Sequence, residues 1–287
     1  MALKDLLVYL TPSSPAFLHV ELASDLASRN ASFVTALFVR EWTPKQLEQR
    51  RTAELAGRPL GDMEAIGHAA RTALAQAEAK ARSTFEELIA RNGLQSEWRA
   101  VDGEPRTVLA QQARYADLCI LGAETHTGNA SSGYRVSEEL LFSSGRPVLL
   151  VPEATTSRTL GAHVAVAWNS SRSAARALND ALPLLECSDR VTVIAANPAE
   201  ILTANEALPL SNLLEHLRRH GVLAQVIELS DVPAAAVAGM LQEKARAAGA
   251  DLLVAGAHGH TWLREVLLGS VTRDLLANLA LPIMMSH

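Results

Sequence analysis

Short apolar runs alternate with amphipathic stretches along the second half of the chain. The apolar runs predict strands at 163–168, 190–196, 222–229, 251–256 and 282–286, and the amphipathic stretches predict helices at 171–186, about 208–220, 232–248 and 269–279. Strands that alternate with helices in this way are typical of a parallel sheet with helices on both faces. The second half is therefore predicted to be an α/β domain.

The first half of the chain repeats this series. Its segment 117–123 (Asp-Leu-Cys-Ile-Leu-Gly-Ala) aligns with 251–257 (Asp-Leu-Leu-Val-Ala-Gly-Ala) at an offset of 134 residues, and Leu6–Leu10 matches Val164–Trp168. The first half also contains an Ala-rich, helix-prone insertion at roughly 44–92. A repeat on this scale predicts two similar doubly wound α/β domains in tandem.

A polar segment at 153–161 separates the two halves, so we place the domains at 1–155 and 156–287. The closing segments of the halves, Val148–Val151 and Ile283–Ser286, are both apolar. Strands at a sheet edge tend to pair with another strand, so we expect these two segments to meet within the chain as a pseudo-twofold pair. Association of two chains into a homodimer is left open, because no residue points to it.

Composition excludes several classes of protein. Of 287 residues, 48% are hydrophobic and 20% are charged, and the formal net charge of −5 argues against a nucleic-acid partner. The two cysteines, Cys119 and Cys187, are too few for a disulfide framework or a four-cysteine zinc site, and Cys119 lies in an apolar run that predicts a core position. No apolar run approaches 18 residues, so we expect a cytoplasmic protein without a membrane partner.

The sharpest local pattern is a glycine spacing that follows a predicted strand and ends where a helix begins. Gly256 and Gly259 are followed, after nine residues, by Gly269-Ser270. Glycines let backbone N–H groups approach a ligand, and the free N–H groups of a helix N-terminus favour an anion. The pattern therefore indicates a phosphate site, although the glycines could instead shape a turn, with Ser270 only as a helix cap.

With these residues, the second half resembles a universal stress protein domain, whose nucleotide-binding members carry this glycine spacing. The strand and helix series covers the whole chain twice, so the protein resembles the tandem type of that family. The resemblance implies a five-stranded parallel sheet of order 3-2-1-4-5 in each half. It also implies an adenine nucleotide at the carboxyl ends of the first and fourth strands.

Site residues can be carried over from the family by position. The acidic residue that reads adenine in the family corresponds to Asn169 here, which keeps a carbonyl acceptor, loses the charge and gains an NH₂ donor. The base is expected to contact the backbone around Ala167 and Ala196. The residues expected around the ribose and phosphates are Gly256, His258, Gly259, Gly269, Ser270 and Val271.

The first half departs from this pattern. Its first strand ends in Leu10-Thr11-Pro12-Ser13, without a carboxylate or amide at the matching place. Thr125 falls where Gly259 would be, and Tyr134-Arg135 falls where Gly269-Ser270 would be. A tyrosine there would block phosphate, so the resemblance implies one nucleotide per chain and a degenerate first domain. A different alignment gap would bring Gly133 into play and leave an altered first site open.

Three functions remain in view. The first is a stress-response regulatory protein that holds ATP or ADP, which Mg²⁺ can accompany, and presents a surface that changes with occupancy. The second is a weak ATP hydrolase, for which only His258 or Glu265 could be named as a base, since no Walker lysine is present. The third is a nucleotide-free scaffold for dimerisation or interaction. No catalytic residue is assigned.

Histidine pairs and tryptophans offer weaker signals. His258 and His260 form one pair, and His216 and His220 lie four residues apart on one predicted helix face, a spacing that can hold zinc. The sequence shows no third ligand near either pair, so no metal site is predicted. Trp168 and Trp262 flank the proposed cleft, where packing or a contact with the ligand are both open.

Overall fold

The computed structural model describes residues 2–11, 18–40, 60–122, 136–197, 209–257 and 269–287, with side chains omitted at 60–67 and 70. The first half contains β1 (Asp5–Leu10), α1 (Leu18–Asn30), β2 (Phe33–Arg40), α2 (Leu60–Arg91), β3 (Ser96–Asp102), α3 (Pro105–Ala113), β4 (Leu118–Gly122), α4 (Val136–Ser143) and β5 (Val148–Val151). The alternation of strands and helices predicted for this half is confirmed, and the Ala-rich insertion contributes the long helix α2.

The second half has the elements that its hydrophobic pattern predicts. They are β6 (His163–Trp168), α5 (Arg172–Leu185), β7 (Arg190–Ala196), α6 (Leu210–Arg219), β8 (Ala224–Leu229), a 3₁₀ turn (Ala234–Ala236) leading into α7 (Val237–Ala247), β9 (Leu252–Gly256), α8 (Ser270–Ala277) and β10 (Ile283–Ser286). The α5 helix begins where the Ser171 hydroxyl accepts a hydrogen bond from the Ala174 backbone N–H. Predicted and observed strand bounds differ by two residues or fewer.

The ten strands form one sheet in the order β3-β2-β1-β4-β5-β10-β9-β6-β7-β8. Each half therefore has the predicted strand order 3-2-1-4-5, and all pairs within a half are parallel. The two halves join through an antiparallel pair of β5 and β10, with Leu149 opposite Met284 at its centre. The predicted meeting of the two closing segments within the chain is confirmed.

Two buried clusters, one on each face of the sheet, form the core. Helices α1, α2, α5 and α6 cover the first face, called here the α5 face, and α3, α4, α7 and α8 cover the second, called the α8 face. Each cluster contains residues from both halves, so the hydrophobic core runs through the β5–β10 pair. Cys119 belongs to this core as predicted, and burial raises the pKa of its thiol to about 12.

One aspartate in each half ties the start of the fourth strand to the start of the first. In the first half, Asp117 Oδ2 accepts hydrogen bonds from the backbone N–H groups of Lys4 and Asp5, at 2.7 and 3.0 Å. In the second half, the carboxylate of Asp251 accepts from the N–H groups of Gly161 and Ala162, both at 2.9 Å. The repeated aspartates of the sequence thus have the same structural role.

The apolar joint between the halves makes a clear stability prediction. Leu149 is fully buried in β5, whereas Leu223, just before β8, is 81% exposed. Leu149→Asp buries an unpaired carboxylate and should lower the free energy of unfolding by about 3 kcal/mol or more. Leu223→Asp makes the same chemical change at the surface and should have little effect. Urea denaturation followed by circular dichroism measures both, and equal midpoints would contradict the described joint.

Candidate functional site

The sheet order of the second half reverses between β6 and β9. The chain leaves β6 toward α5 on one face and leaves β9 toward α8 on the other. In open α/β sheets, ligands bind in the crevice that this divergence creates beyond the carboxyl ends of the strands. Val166 lies opposite Val254, so Trp168 and Gly256 end the two strands at the same level. This crevice is the candidate site.

Asn169 is the first residue after β6, and its amide oxygen is already engaged. The Oδ1 atom accepts hydrogen bonds from the Ser171 backbone N–H at 3.2 Å and from the Ser171 hydroxyl at 2.7 Å. Ser170, between them, adopts a left-handed conformation with φ of 57°. Both donors come from the cap of α5, so the amide group is anchored to that helix. The exposed Nδ2 group is the part of Asn169 that a ligand would meet.

Gly256 lies at the end of β9, where α5 approaches the strand closely. A Cβ atom built on this glycine would lie 2.4 Å from both the Ser173 carbonyl carbon and the Ala174 backbone nitrogen. Any side chain at this position would therefore push α5 away from the sheet. Close packing of strand and helix explains this glycine of the sequence pattern, and it holds the Asn169 anchor in place at the same time.

Small side chains line the carboxyl edge of the sheet on the α8 face. Ala167 packs against the cluster on that face, and Ala257 is buried within it. Ala196 is half-buried and shares the face of Ile194, because side chains two residues apart on a strand point the same way. We call Ala167, Ala196 and Ala257 the alanine floor. Ala257 was not among the residues predicted from the sequence.

Asn197 directly follows Ala196, at the end of β7. It has a positive φ of 49°, its Nδ2 donates to the Val232 carbonyl at 2.8 Å, and its Oδ1 accepts from the Val232 N–H at 2.9 Å. These bonds tie the end of β7 to the segment that follows β8. Sequence reasoning missed this residue, although an asparagine directly after a strand is typical of such a left-handed turn.

The N-terminus of α8 borders the crevice and is not capped by a side chain of the described residues. Gly269 precedes the helix with φ of −55° and ψ of 144°. The first turn of α8 contains no acidic residue. Ser270 is exposed and Val271 is half-buried. The first N–H groups of a helix lack partners within the helix, so this end can accept an anion. The predicted His258 and Gly259, with His260, Trp262 and Glu265, lie outside the described residues.

The matching place in the first half is filled. Tyr9 occupies the position of Ala167, and Val39 occupies that of Ala196, according to the strand registers of the two halves. Both side chains are buried in the cluster on the α8 face. In addition, the first turn of α4 carries Glu138 and Glu139. The first half therefore lacks an alanine floor, and the first turn of its α4 is acidic, whereas that of α8 is not.

A salt bridge holds the outer edge of the first half. Arg40, at the end of β2, donates to the Glu78 carboxylate of α2 through Nε at 2.6 Å and Nη2 at 2.8 Å. These hydrogen bonds hold the pKa of Glu78 below its ordinary value. The sequence insertion is thereby attached to the carboxyl edge of the sheet. Thr125, Gly133 and the Tyr134-Arg135 pair lie outside the described residues.

A scan against protein-family models matches residues 161–287 to the Universal stress protein family. Those residues include both strands of the candidate crevice, the α5 cap and α8. Residues 161–287 form a universal stress protein domain. The first half has the same strand order, so the chain consists of two domains of one α/β fold in tandem, consistent with a tandem universal stress protein architecture.

Solved structures match this tandem architecture over nearly the whole chain. A universal stress protein from Archaeoglobus fulgidus is 18% identical, with a TM-score of 0.70 over 100% of this chain and 99% of its own. A functionally unknown protein from Pseudomonas aeruginosa PAO1 is 14% identical, with a TM-score of 0.62 over 99% of this chain and 92% of its own. A putative universal stress protein from P. aeruginosa UCBPP-PA14 is 15% identical, with a TM-score of 0.60 over 99% of this chain and 93% of its own. No curated protein matches in sequence.

Other features of the described residues add no site. Within the described residues, no helix is both long and apolar enough to span a membrane. The rings of His216 and His220 lie 4.9 Å apart, and His220 Nδ1 is 3.3 Å from the Glu186 carboxylate, a neighbour that the sequence did not reveal. No group of three metal-ligating side chains occurs in the part of the chain that the structure describes.

Proposed function

We propose that the C-terminal universal stress protein domain binds one purine nucleotide at the crevice between β6 and β9. ATP and ADP, with or without Mg²⁺, are the ligands that the family resemblance implies, and they are the first to test. The protein then acts as a regulator of the stress response whose surface changes with nucleotide occupancy. The first domain acts as its structural partner.

The contrast between the two helix N-termini at the crevice carries this proposal. The N-terminus of α5 is capped by Ser171, whose hydroxyl accepts a hydrogen bond from the Ala174 N–H. The N-terminus of α8 has no cap from a described side chain and no carboxylate in its first turn. Phosphates would therefore accept hydrogen bonds from Ser270 and Val271 at α8, with Gly269 giving room for close approach.

The alanine floor supports the placement of the base. A flat purine ring needs an apolar surface without projecting side chains, and Ala167 and Ala196 present one next to α8. Gly256 contributes indirectly, because it lets α5 pack against β9 and hold Asn169 at the rim. His258 and Gly259 belong to the proposed site by their place in the sequence pattern.

A charged residue in the first turn of α8, which sequence reasoning missed, is a further part of the proposed site. Arg273 in α8 occupies the position of Glu138 in α4, so a cation replaces a carboxylate between the two halves. Arg273 is exposed in the first turn of α8, close to where the phosphates would lie. Comparing charges between the aligned halves is the signal that could have found it.

Nucleotide content tests the proposal directly. We expect freshly purified, denatured protein to release a purine nucleotide, and calorimetric titration of the emptied protein to give about one site per chain, because Tyr9 and Val39 fill the first domain. Titration without any binding would instead favour the nucleotide-free scaffold. A stoichiometry near two would show that the first domain also binds.

A further inference from the structure

We infer that the contact between His163 and Thr192 is a pH-sensitive switch at the amino edge of the second domain. It holds the start of β6 to β7 while the imidazole is neutral, and it weakens when the ring is protonated. His163 is the first residue of β6, so the contact lies at the end of that strand opposite the crevice. Its behaviour does not depend on what binds at the crevice.

The His163 imidazole is buried between β6, β7 and the turn that follows α7. Its Nε2 atom lies 2.9 Å from Thr192 Oγ1, and both side chains are buried. Each residue lies two positions before a member of the cluster on the α8 face, so both side chains point to that face. A Cβ atom built on Gly249 would lie 4.0 Å from His163 Nδ1, so the turn after α7 packs against the ring.

This contact lies where the segment between the two domains enters the sheet. The Ala162 carbonyl accepts hydrogen bonds from the backbone N–H groups of Asp189 and Arg190, at 2.9 and 3.1 Å. The His163 carbonyl accepts from the Asp251 N–H at 2.9 Å. The start of β6 is therefore attached to both neighbouring strands around the buried ring, and a change in the ring acts on these attachments.

The surroundings of the ring favour its neutral form. Burial has the largest effect and lowers the pKa of His163, and the positive charge of Arg190, beside it on β7, lowers this pKa further. The Asp251 carboxylate and the backbone carbonyls of Ala248 and Gly249 act in the opposite direction. Their effect is smaller, so protonation of the ring is less favourable in the folded protein than in the unfolded chain.

This difference sets the direction of the response to pH. The stability that neutral His163 confers is complete above the ordinary histidine pKa of about 6.5, and it is lost as the pH falls from there through the lower pKa of His163. Other charges at this edge are Lys244 and Arg246 in the last turn of α7 and Asp189 before β7. Among these residue types, only histidine ordinarily titrates near neutral pH.

The first domain provides an internal control. Asp5 occupies the position of His163 in the strand registers, and it is exposed. Its carbonyl accepts a hydrogen bond from the Asp117 N–H at 2.7 Å, in the same way that the His163 carbonyl accepts from Asp251. The backbone attachment is thus repeated in both halves, whereas the buried imidazole belongs to the second.

Amide hydrogen exchange measured by NMR at about pH 7.5 and about pH 5.5 tests the switch. In the wild type, we expect acid to lower the protection of the Asp251 amide relative to that of Asp117 in the same molecule. His163→Gln keeps an acceptor for the Thr192 hydroxyl and cannot be charged, so this ratio should stay constant in the variant. His68→Gln replaces an exposed histidine of α2 and should behave like the wild type.

Two outcomes of the exchange measurement would overturn the inference: a ratio that does not fall in the wild type, or one that falls equally in His163→Gln. If His163→Gln does not fold, the imidazole resonances of the wild-type protein decide. The His163 ring must then titrate at lower pH than the His68 ring, and the loss of Asp251 protection must follow the His163 titration. Titration of both rings together, or in the reverse order, would also overturn the inference.

Discussion

Gly269→Tyr is expected to abolish nucleotide binding without unfolding the protein. The substitution copies the first half, where Tyr134 falls at the matching place of the sequence. Gly269 has φ of −55°, which any residue can adopt, so tyrosine fits the backbone. Its ring would stand where phosphate must approach the N–H groups of α8. Loss of charge-assisted hydrogen bonds worth roughly 1.5 to 3 kcal/mol each should weaken affinity at least about a hundredfold.

Gly239→Tyr provides a matched control for this result. Gly239 lies in α7, and a Cβ atom built on it would meet nothing within 4 Å. The same change of residue there should leave affinity for the nucleotide intact. Calorimetry measures affinity, and thermal unfolding without ligand measures stability. Unchanged affinity in Gly269→Tyr would show that phosphate does not bind at α8.

Ala167→Tyr is expected to close the site from the side of the base. Tyr9 is accommodated at the same position of the first domain, buried in the cluster on the α8 face, so the fold can hold a tyrosine there. In the second domain, the ring would occupy the alanine floor. We expect affinity to fall by about a hundredfold or more, since the base would lose its apolar contact and clash with the new side chain.

A smaller substitution at the same position separates volume from other effects. Ala167→Ser adds a single oxygen to the floor and should retain nucleotide binding within a few-fold. Titration of both variants, with unfolding curves recorded without ligand, distinguishes a filled site from an unstable protein. Normal binding by the tyrosine variant would place the base elsewhere in the crevice.

The fold was predictable because its signals are local or repeated. Each strand of the second half shows as an apolar run, and the alignment of Asp117 with Asp251 exposes the repeat. The pairing of β5 with β10 followed from two apolar edge strands in one chain. These properties depend on residue type and spacing, which a single sequence records directly.

The details of the candidate site depend on contacts that a sequence does not record. The amide of Asn169 looked equally able to donate and to accept until Ser171 was seen to hold its oxygen. Gly256 suggested backbone approach by a ligand, whereas the structure places α5 against it. Tyr9 and Val39 became informative only when the strand registers showed that they occupy, in the first half, the positions that Ala167 and Ala196 occupy in the second. Such orientations arise from tertiary packing.

The antiparallel joint of β5 and β10 also has a consequence for the response to ligand. In a symmetric homodimer, every substitution appears twice and both sites stay identical. Here the two halves share one peptide chain, so one cleft can be filled by Tyr9 while the other keeps its alanine floor. With a single site that does not depend on association of subunits, titration should follow a hyperbola with a Hill coefficient of about one. The free nucleotide concentration at half-saturation should be the same at every protein concentration.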